Sequence, residues 1–467
     1  MSLPREHDVN LPWPSSLWVE SREDHGFHDE PLGRRSDVLI VGAGYTGLWS
    51  AIHLKEARPD IDVLVVDAVD PGFGASGRNG GWCSGLFPVE LASLEELHGR
   101  DAAIAMQRAA MAAVDDVGGF IARNSIDCDW TKSGTLTIAT NGVQRDRLRA
   151  SIDAHHTFGF DNDDARWLDS DELATRVKVS GARGAMFSPH CAVIHPMKLV
   201  NGLVRHAIAL GVRIVSGCDV RSIDDSGVVA HRDGTAVRID TDWVVRATEG
   251  YTPRLRGEPR TLIPLYSYMV ATEPLPDAVW NEIGWNQRET LAEGRLMVTY
   301  AQRSTDGRIV FGGRGAGYRF ASRIKPGFDS DPTVRRRIKS TLNGLFPAAA
   351  GAAITHHWGG PLAVPRDWHP SVTIDTAAKR IRAGGYVGDG VALSHLAGRT
   401  TAAAILGIDS PDLRLPIVHH ANRRWEPEPI RWLGVNAALR LPSLIDGIES
   451  RTGRPARVLS SLMNRLL

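Results

Sequence analysis

Residues 37–47 read DVLIVGAGYTG, and this stretch constrains the fold more than any other part of the chain. Residues 38–41 are a continuous apolar run, as a parallel strand buried on both faces requires. Gly42, Gly44 and Gly47 follow at G-x-G-x-x-G spacing, with Tyr45 and Thr46 before the third glycine. Leu48, Ala51 and Ile52 then share one helical face, and a second apolar run at 61–66 ends in Asp67. The first glycine permits a tight turn, the second lets backbone approach a pyrophosphate, and the third allows close helix–strand packing. Unpaired N–H groups at the helix start receive the phosphates, and a carboxylate at the second strand's end accepts ribose hydroxyls. Strand, glycines, helix, strand and acid in this order read as a dinucleotide site. The competing reading is a glycine-rich turn that holds no ligand.

The 467 residues allow two or three domains, at roughly 100–200 residues each. Lys+Arg and Asp+Glu both number 54, so the basic excess of a general nucleic-acid binder is absent. A hydrophobic content of 43% excludes a largely disordered chain. Cys83, Cys128, Cys191 and Cys218 are scattered without a CxxC pair. That argues against a disulfide framework or a zinc site, suits a reducing compartment, and leaves no metal expected. The polar, proline-broken start MSLPREHDVN lacks the apolar core of a secretory signal. With no apolar run of about 18 residues either, a cytoplasmic location without a transmembrane segment is expected.

A second glycine cluster, PGFGASGRNGGWCSG at 71–85, is too rich in small residues for an ordinary helix or strand. Its backbone can approach a flat ligand closely and offer it N–H groups. GFGASGRNGG after a G-x-G-x-x-G unit resembles the flavin-contacting loop of the FAD-dependent amine and amino-acid oxidases, the D-amino-acid oxidase-like family. Within it the chain is most similar to γ-glutamylputrescine oxidase-type enzymes. The likeness continues through IDCDW (126–130), IHPMKLVNGL (194–203), WVVRATEGYTPRL (243–255), WGGPLAVPRDWHPSVTID (358–375) and GYVGDGVALSHLAGR (385–399).

The resemblance implies an α/β fold: a discontinuous Rossmann-like FAD-binding domain with an α+β substrate domain on a mixed sheet. The expected FAD segments are 34–100, 190–260 and 372–410, with substrate segments 101–189 and 261–371. An N-terminal arm, 1–33, and a helical tail, 411–467, complete the chain. The cofactor is expected to contact Gly42, Gly44, Tyr45, Thr46, Gly47 and Asp67 in the first unit. In the loop the contacts are Ala75, Ser76, Arg78, Asn79, Gly80, Gly81 and Trp82. Val220 lies on the adenine side, Thr248 and Gly250 at the pyrophosphate, and Gly388, Gly390 and Val391 along the flavin. Some relatives attach flavin through a His in the loop or a Cys near 358–362; here both segments lack them, although His356 and His357 lie just upstream. Non-covalent FAD is therefore expected.

Amino-acid-oxidising relatives fork the substrate carboxylate with an Arg in a G-x-R-P-like segment, using geometry only guanidinium offers. The matching stretch here is Trp358-Gly359-Gly360-Pro361-Leu362. Arginines that sarcosine oxidases place after the flavin loop are likewise replaced by 81–84, GWCS. Two missing carboxylate clamps point away from simple α-amino acids and toward primary or secondary amines, polyamine conjugates or N-substituted amines. Tyr266 and Tyr268, two apart on an alternating strand, are candidates to bracket the substrate, with a half-buried sheet face as the other reading. Trp358 and His395 are further catalytic candidates that also suit core packing. Trp82 stands where the related putrescine-conjugate enzymes carry Gln, and Arg314 or Arg366 would supply a relocated anion contact. Dioxygen is the expected electron acceptor. The alternatives are a dehydrogenase serving a quinone or carrier protein, and an FAD-stabilised subunit of a larger complex. The tail segments IRWLGVNAALRL and PARVLSSLMNRLL read as amphipathic helices, and the basic end fits either packing on its own domain or peripheral contact with a membrane or partner.

Overall fold

The computed structural model describes residues 11–224, 227–314 and 317–466. Two eight-stranded sheets organise them. In the first, strand Arg35–Val41 sits between Val63–Val66 and Thr235–Arg246, parallel to both. Arg213–Val215 and Arg380–Gly384 extend it on either side, also parallel. Ser371–Asp375 closes one edge antiparallel, and a hairpin of Asp219–Asp224 and Gly227–Arg232 pairs onto Thr235–Arg246. All four residues of Val63–Val66 are buried, which accounts for their unbroken apolar text.

Helices Tyr45–Ala57 and Gly390–Leu406 pack together against this sheet, with Gly398 against the Trp49 backbone. Helix Arg100–Arg123 joins them, placing Phe120 edge-on to Trp49 at 4.7 Å. A boundary at residue 100 assigned this helix to the substrate side. The structure instead puts its small-residue face, including Ala103, Ala110 and Ala113, into the core of the first sheet. Small side chains permit that close approach.

The second sheet runs Ile354–Val364, Ile263–Thr272, Ile309–Arg314, Thr299–Arg303, Thr290–Glu293, Thr135–Ile138, Ala185–Ser188, Arg166–Leu168. Its neighbours are antiparallel except Thr290–Glu293 with Thr135–Ile138, so the sheet is mixed. Helix Pro332–Leu345 covers one face with Val334, Ile338, Leu342 and Leu345, forming a second core.

At the N-terminal end, Trp18 is buried and its indole N–H donates to the Asn79 carbonyl at 2.9 Å. The earlier part of the expected arm, residues 1–10, lies outside the described residues. Among the described residues the tail begins with the short helical turns Pro411–Arg414 and Pro416–His419 and continues into helices Ile430–Ala438, Leu441–Thr452 and Arg457–Leu466. Arg431 donates to the Pro259 carbonyl, Asp446 accepts the Leu296 and Met297 N–H groups, and Glu449 pairs with Arg147 at 2.7 Å. These contacts dock Ile430–Ala438 and Leu441–Thr452 on their own chain. No helix among the described residues is long and apolar enough to cross a membrane.

Candidate functional site

A cleft opens at the C-terminal ends of strands Arg35–Val41, Val63–Val66 and Thr235–Arg246. Ligands of parallel α/β sheets bind at such carboxyl ends. Gly42, Gly44, Tyr45, Thr46, Asp67, Ala75, Ser76, Val220, Thr248 and Gly250 all line it. Gly42 has φ +110°, and a Cβ there would collide with the Ala247 carbonyl oxygen. The helix starting at Tyr45 has Gly44 as its N-cap and no side-chain cap. Ser76 Oγ accepts the Tyr45 N–H at 2.9 Å, tying the second glycine cluster to the first.

Asp67 accepts the Ala43 N–H at 2.8 Å and the Val69 N–H at 2.9 Å. Burial nevertheless raises its pKa to about 6. Glu249, which the sequence reading missed, also lines the cleft. It accepts the Gly385 N–H at 2.7 Å, and desolvation raises its pKa to about 7. Arg254 was missed too: it borders the cleft 3.5 Å from Asp219, with its buried Nε and Nη2 lacking a hydrogen-bond partner among the described residues. Glu249 lies between the recognised Thr248 and Gly250 and Arg254 four residues beyond, but nothing in their spacing marks them as cleft residues.

The rest of the glycine loop leads from the cleft to the second sheet. Arg78 is buried and donates Nη1 to Asp329 at 3.0 Å and to the Gly359 carbonyl at 3.3 Å, and Nη2 to Tyr251 at 2.6 Å. It thus clamps the loop to the edge strand Ile354–Val364. Asn79 accepts the Gly81 N–H at 2.7 Å and donates to the Ser76 carbonyl, fixing the turn through Gly80. The Tyr300 ring lies on Gly80, meets Trp82 edge-on at 6.0 Å, and shares a 2.8 Å hydroxyl hydrogen bond with Ser267. Tyr300 and Ser267 were missed because alternation alone does not say which sheet face meets the loop. Trp358 sits on the same face as Ser267 and donates its indole N–H to the Arg78 carbonyl at 2.9 Å.

Other candidates fall elsewhere. Tyr266 and Tyr268 stack 6.0 Å apart on the opposite face of their strand, in the second core, with Tyr268 donating to the Phe328 carbonyl. The strand is buried on both faces rather than half-buried, and the buried Tyr266 hydroxyl has no hydrogen-bond partner among the described residues. His395 is a correction: it is buried between Trp49 and His53, at 4.7 and 4.9 Å, where it packs helix against helix rather than facing the cleft. Desolvation holds it neutral, with a pKa lowered to about 2. Arg366 pairs with Glu426 at 3.0 Å and lies over Trp425, so it braces the tail. The Arg314 side chain lies outside the described residues. Gly47 is sterically locked against the Gly42 carbonyl behind the cleft. Gly388, Gly390 and Val391 form the turn into helix Gly390–Leu406, brought to the first helix by the 2.9 Å hydrogen bond between Tyr386 and Thr46.

A family model described as DAO, FAD dependent oxidoreductase, matches residues 37–404. The chain belongs to this family. It is 30% identical over 410 residues to the probable oxidoreductase OrdL of Rhizobium meliloti, covering 84% of this chain and 89% of that one. It is 28% identical over 375 residues to gamma-glutamylputrescine oxidoreductase of Escherichia coli, covering 79% and 84%. Among solved structures, glycine oxidase from Geobacillus kaustophilus superposes with a TM-score of 0.69 at 19% identity, over 83% of this chain and all of that one. The protein is thus a DAO-family, FAD-dependent oxidoreductase.

The residues present fit FAD. The cleft pairs a glycine-cradled helix N-terminus with Arg254, whose guanidinium has a 3.5 Å ion pair to Asp219 but no hydrogen bond from Nε or Nη2 among the described residues, and so suits a pyrophosphate. It also holds Asp67 at the strand end, where a ribose would lie.

Proposed function

We propose that this DAO-family enzyme oxidises a primary or secondary amine, a polyamine conjugate or N-substituted amine, at a CH–NH bond. FAD supplies the hydride acceptor. The carrying observation is the stretch 358–362, which resembles the relatives' carboxylate-clamping segment but holds no arginine, and whose Leu362 pairs with Leu265 on the same sheet face as Ser267. The Arg78 guanidinium beside Gly360 is already engaged by Asp329, Tyr251 and backbone carbonyls. An ionised α-carboxylate placed against Leu362 would lose hydration without a partner there. A neutral amine would instead meet the Ser267 and Tyr300 hydroxyls, with Trp82 and Trp358 as apolar walls. The substrate carbon gives up a hydride and the nitrogen a proton, and water hydrolyses the resulting imine to an aldehyde and an amine. Dioxygen takes the two electrons as hydrogen peroxide. The likeness to gamma-glutamylputrescine oxidoreductase supports the amine class.

The FAD domain in this reading comprises 34–100, 190–260 and 372–410, with helix Arg100–Arg123 added. Attachment is non-covalent: His356 is bound to Glu20 at 2.8 Å, and both His357 ring nitrogens engage backbone groups. Cys83, Cys128, Cys191 and Cys218 are buried, with thiol pKa values raised chiefly by desolvation. The test is anaerobic mixing of holoenzyme with polyamines, glutamylated amines, N-methyl amino acids and free α-amino acids. Bleaching of the flavin band by amines, followed by peroxide release in air, supports the proposal. Bleaching by α-amino acids alone refutes the substrate class. Bleaching with slow reoxidation in air and fast reoxidation by artificial acceptors refutes the oxidase step and leaves a dehydrogenase.

A further inference from the structure

We propose that His98, His369 and His420 form a binding site for one divalent transition-metal ion, with Zn²⁺ as the occupant tested. The three come from separate parts of the chain: the end of helix Leu91–His98, the segment after strand Ile354–Val364, and the residue after helix Pro416–His419. One nitrogen from each lies within 4.8 Å of the others. Tetrahedral zinc with bonds of about 2.0–2.1 Å needs nitrogens about 3.3 Å apart, so binding closes the trio by at most about 1.5 Å.

The hydrogen bonds around the trio leave a basic nitrogen on His369 and on His420. His369 Nδ1 lies 2.7 Å from the Pro370 carbonyl, which can only accept, so Nδ1 carries the proton and Nε2 the lone pair. That Nε2 is buried and has no hydrogen-bond partner among the described residues, and the same holds for His98 Nε2. His420 Nε2 lies 2.9 Å from Asp367, leaving Nδ1 as its basic nitrogen. Asp367 also accepts from Asn422 at 2.8 Å, so the carboxylate is fixed in turn. Metal-binding histidines typically donate their second N–H to a carboxylate or backbone carbonyl in this way. Imidazole ligands suit Zn, Cu, Ni and Co rather than Mg or Ca. The His369 and His420 rings stack nearly parallel at 3.8 Å, with His98 5.6 and 5.8 Å away, so binding also requires the half-buried His420 ring to turn out of the stack until both in-plane lone pairs meet the ion. Without an ion, these imidazoles leave two buried polar nitrogens unsatisfied; a metal satisfies both. His98 and His420 are half-buried, leaving a fourth coordination position open to water.

The site is separate from the cleft, and its effect would be mechanical. One ion ties the helix before Arg100–Arg123, the segment joining the two sheets, and the approach to the C-terminal tail. The sequence reading looked only for cysteine spacing and so expected no metal. Three histidines spread from residue 98 to residue 420 leave no local pattern.

The test uses untagged, flavin-loaded protein, stripped with chelator, incubated with Zn²⁺ and desalted before elemental analysis. With 17 histidines in the chain, controls decide the outcome. The expected result is one zinc per chain in the parent and in His156→Gln, loss in both His98→Gln and His420→Gln, and a zinc-dependent rise in Tm only where zinc is retained. Retained flavin absorbance certifies that each variant is folded. X-ray absorption of the zinc form should show imidazole scatterers at about 2.0 Å. Absence of uptake, uptake unchanged in either histidine variant, or sulfur scatterers would each overturn the assignment.

Discussion

Asp67 should make FAD affinity depend on pH in a way its amide cannot. Its carboxylate accepts the Ala43 and Val69 N–H groups, and burial holds its pKa near 6 in the apoprotein. A ribose hydroxyl donates to the ionised form, so FAD binding expels a proton wherever the apo carboxyl is protonated. Affinity should therefore fall up to about tenfold per pH unit below 6 and level off above about pH 7. The unliganded protein has the opposite sign. A carboxyl raised above its unfolded value of about 3.9 contributes stability at low pH that is lost as pH climbs through 6. Asp67→Asn removes the charge and turns one amide N–H toward a backbone donor. Losing a charge-assisted bond of about 1.5–3 kcal/mol should weaken FAD by roughly 10- to 150-fold at neutral pH. It should also flatten the profile. Titrating apoprotein into FAD and following fluorescence quenching between about pH 5 and pH 8 measures both. Parental affinity in Asp67→Asn, or a flat parental profile, would refute the reasoning.

Arg78→Ala leaves the half-buried Asp329 without its partner and should cost about 1–3 kcal/mol in denaturant unfolding, with part recovered by adding Asp329→Asn. Gly47→Ala pushes a methyl into the Gly42 carbonyl and should destabilise by at least about 1–3 kcal/mol, releasing FAD on gel filtration. Leu362→Arg should raise flavin reduction by α-amino acids and lower it for amines; stopped-flow traces with both classes check this. Tyr300→Phe should slow anaerobic flavin reduction while leaving FAD affinity at the parental value by the same quenching assay.

The dinucleotide half was legible because its signals are local. Strand, glycines, helix and acid fall within 37–67, and each residue type answers a backbone requirement at its own position. The second glycine loop was legible only through resemblance. Its contact with Tyr300 and Gln302 depends on how the second sheet is laid against it, which no window of sequence records. Strand alternation put Tyr266 and Tyr268 on one face correctly but could not choose between that face and the one bearing Ser267. His395 drew attention by following a glycine turn, yet helix packing decides its place, and Trp49 and His53 claim it. Helix Arg100–Arg123 was assigned by chain position, whereas its alanine face is what seats it on the first sheet.

The cleft is assembled from Leu11, residues 41–76, 218–255 and Pro361, with Tyr386 reaching back to Thr46. A chain still emerging from the ribosome therefore owns the phosphate cradle long before it owns the far wall. Cofactor capture must follow synthesis of about four-fifths of the polypeptide. Flavin supply then acts on finished chains, and premature termination anywhere before that point yields a fragment with no complete cofactor site to stabilise it.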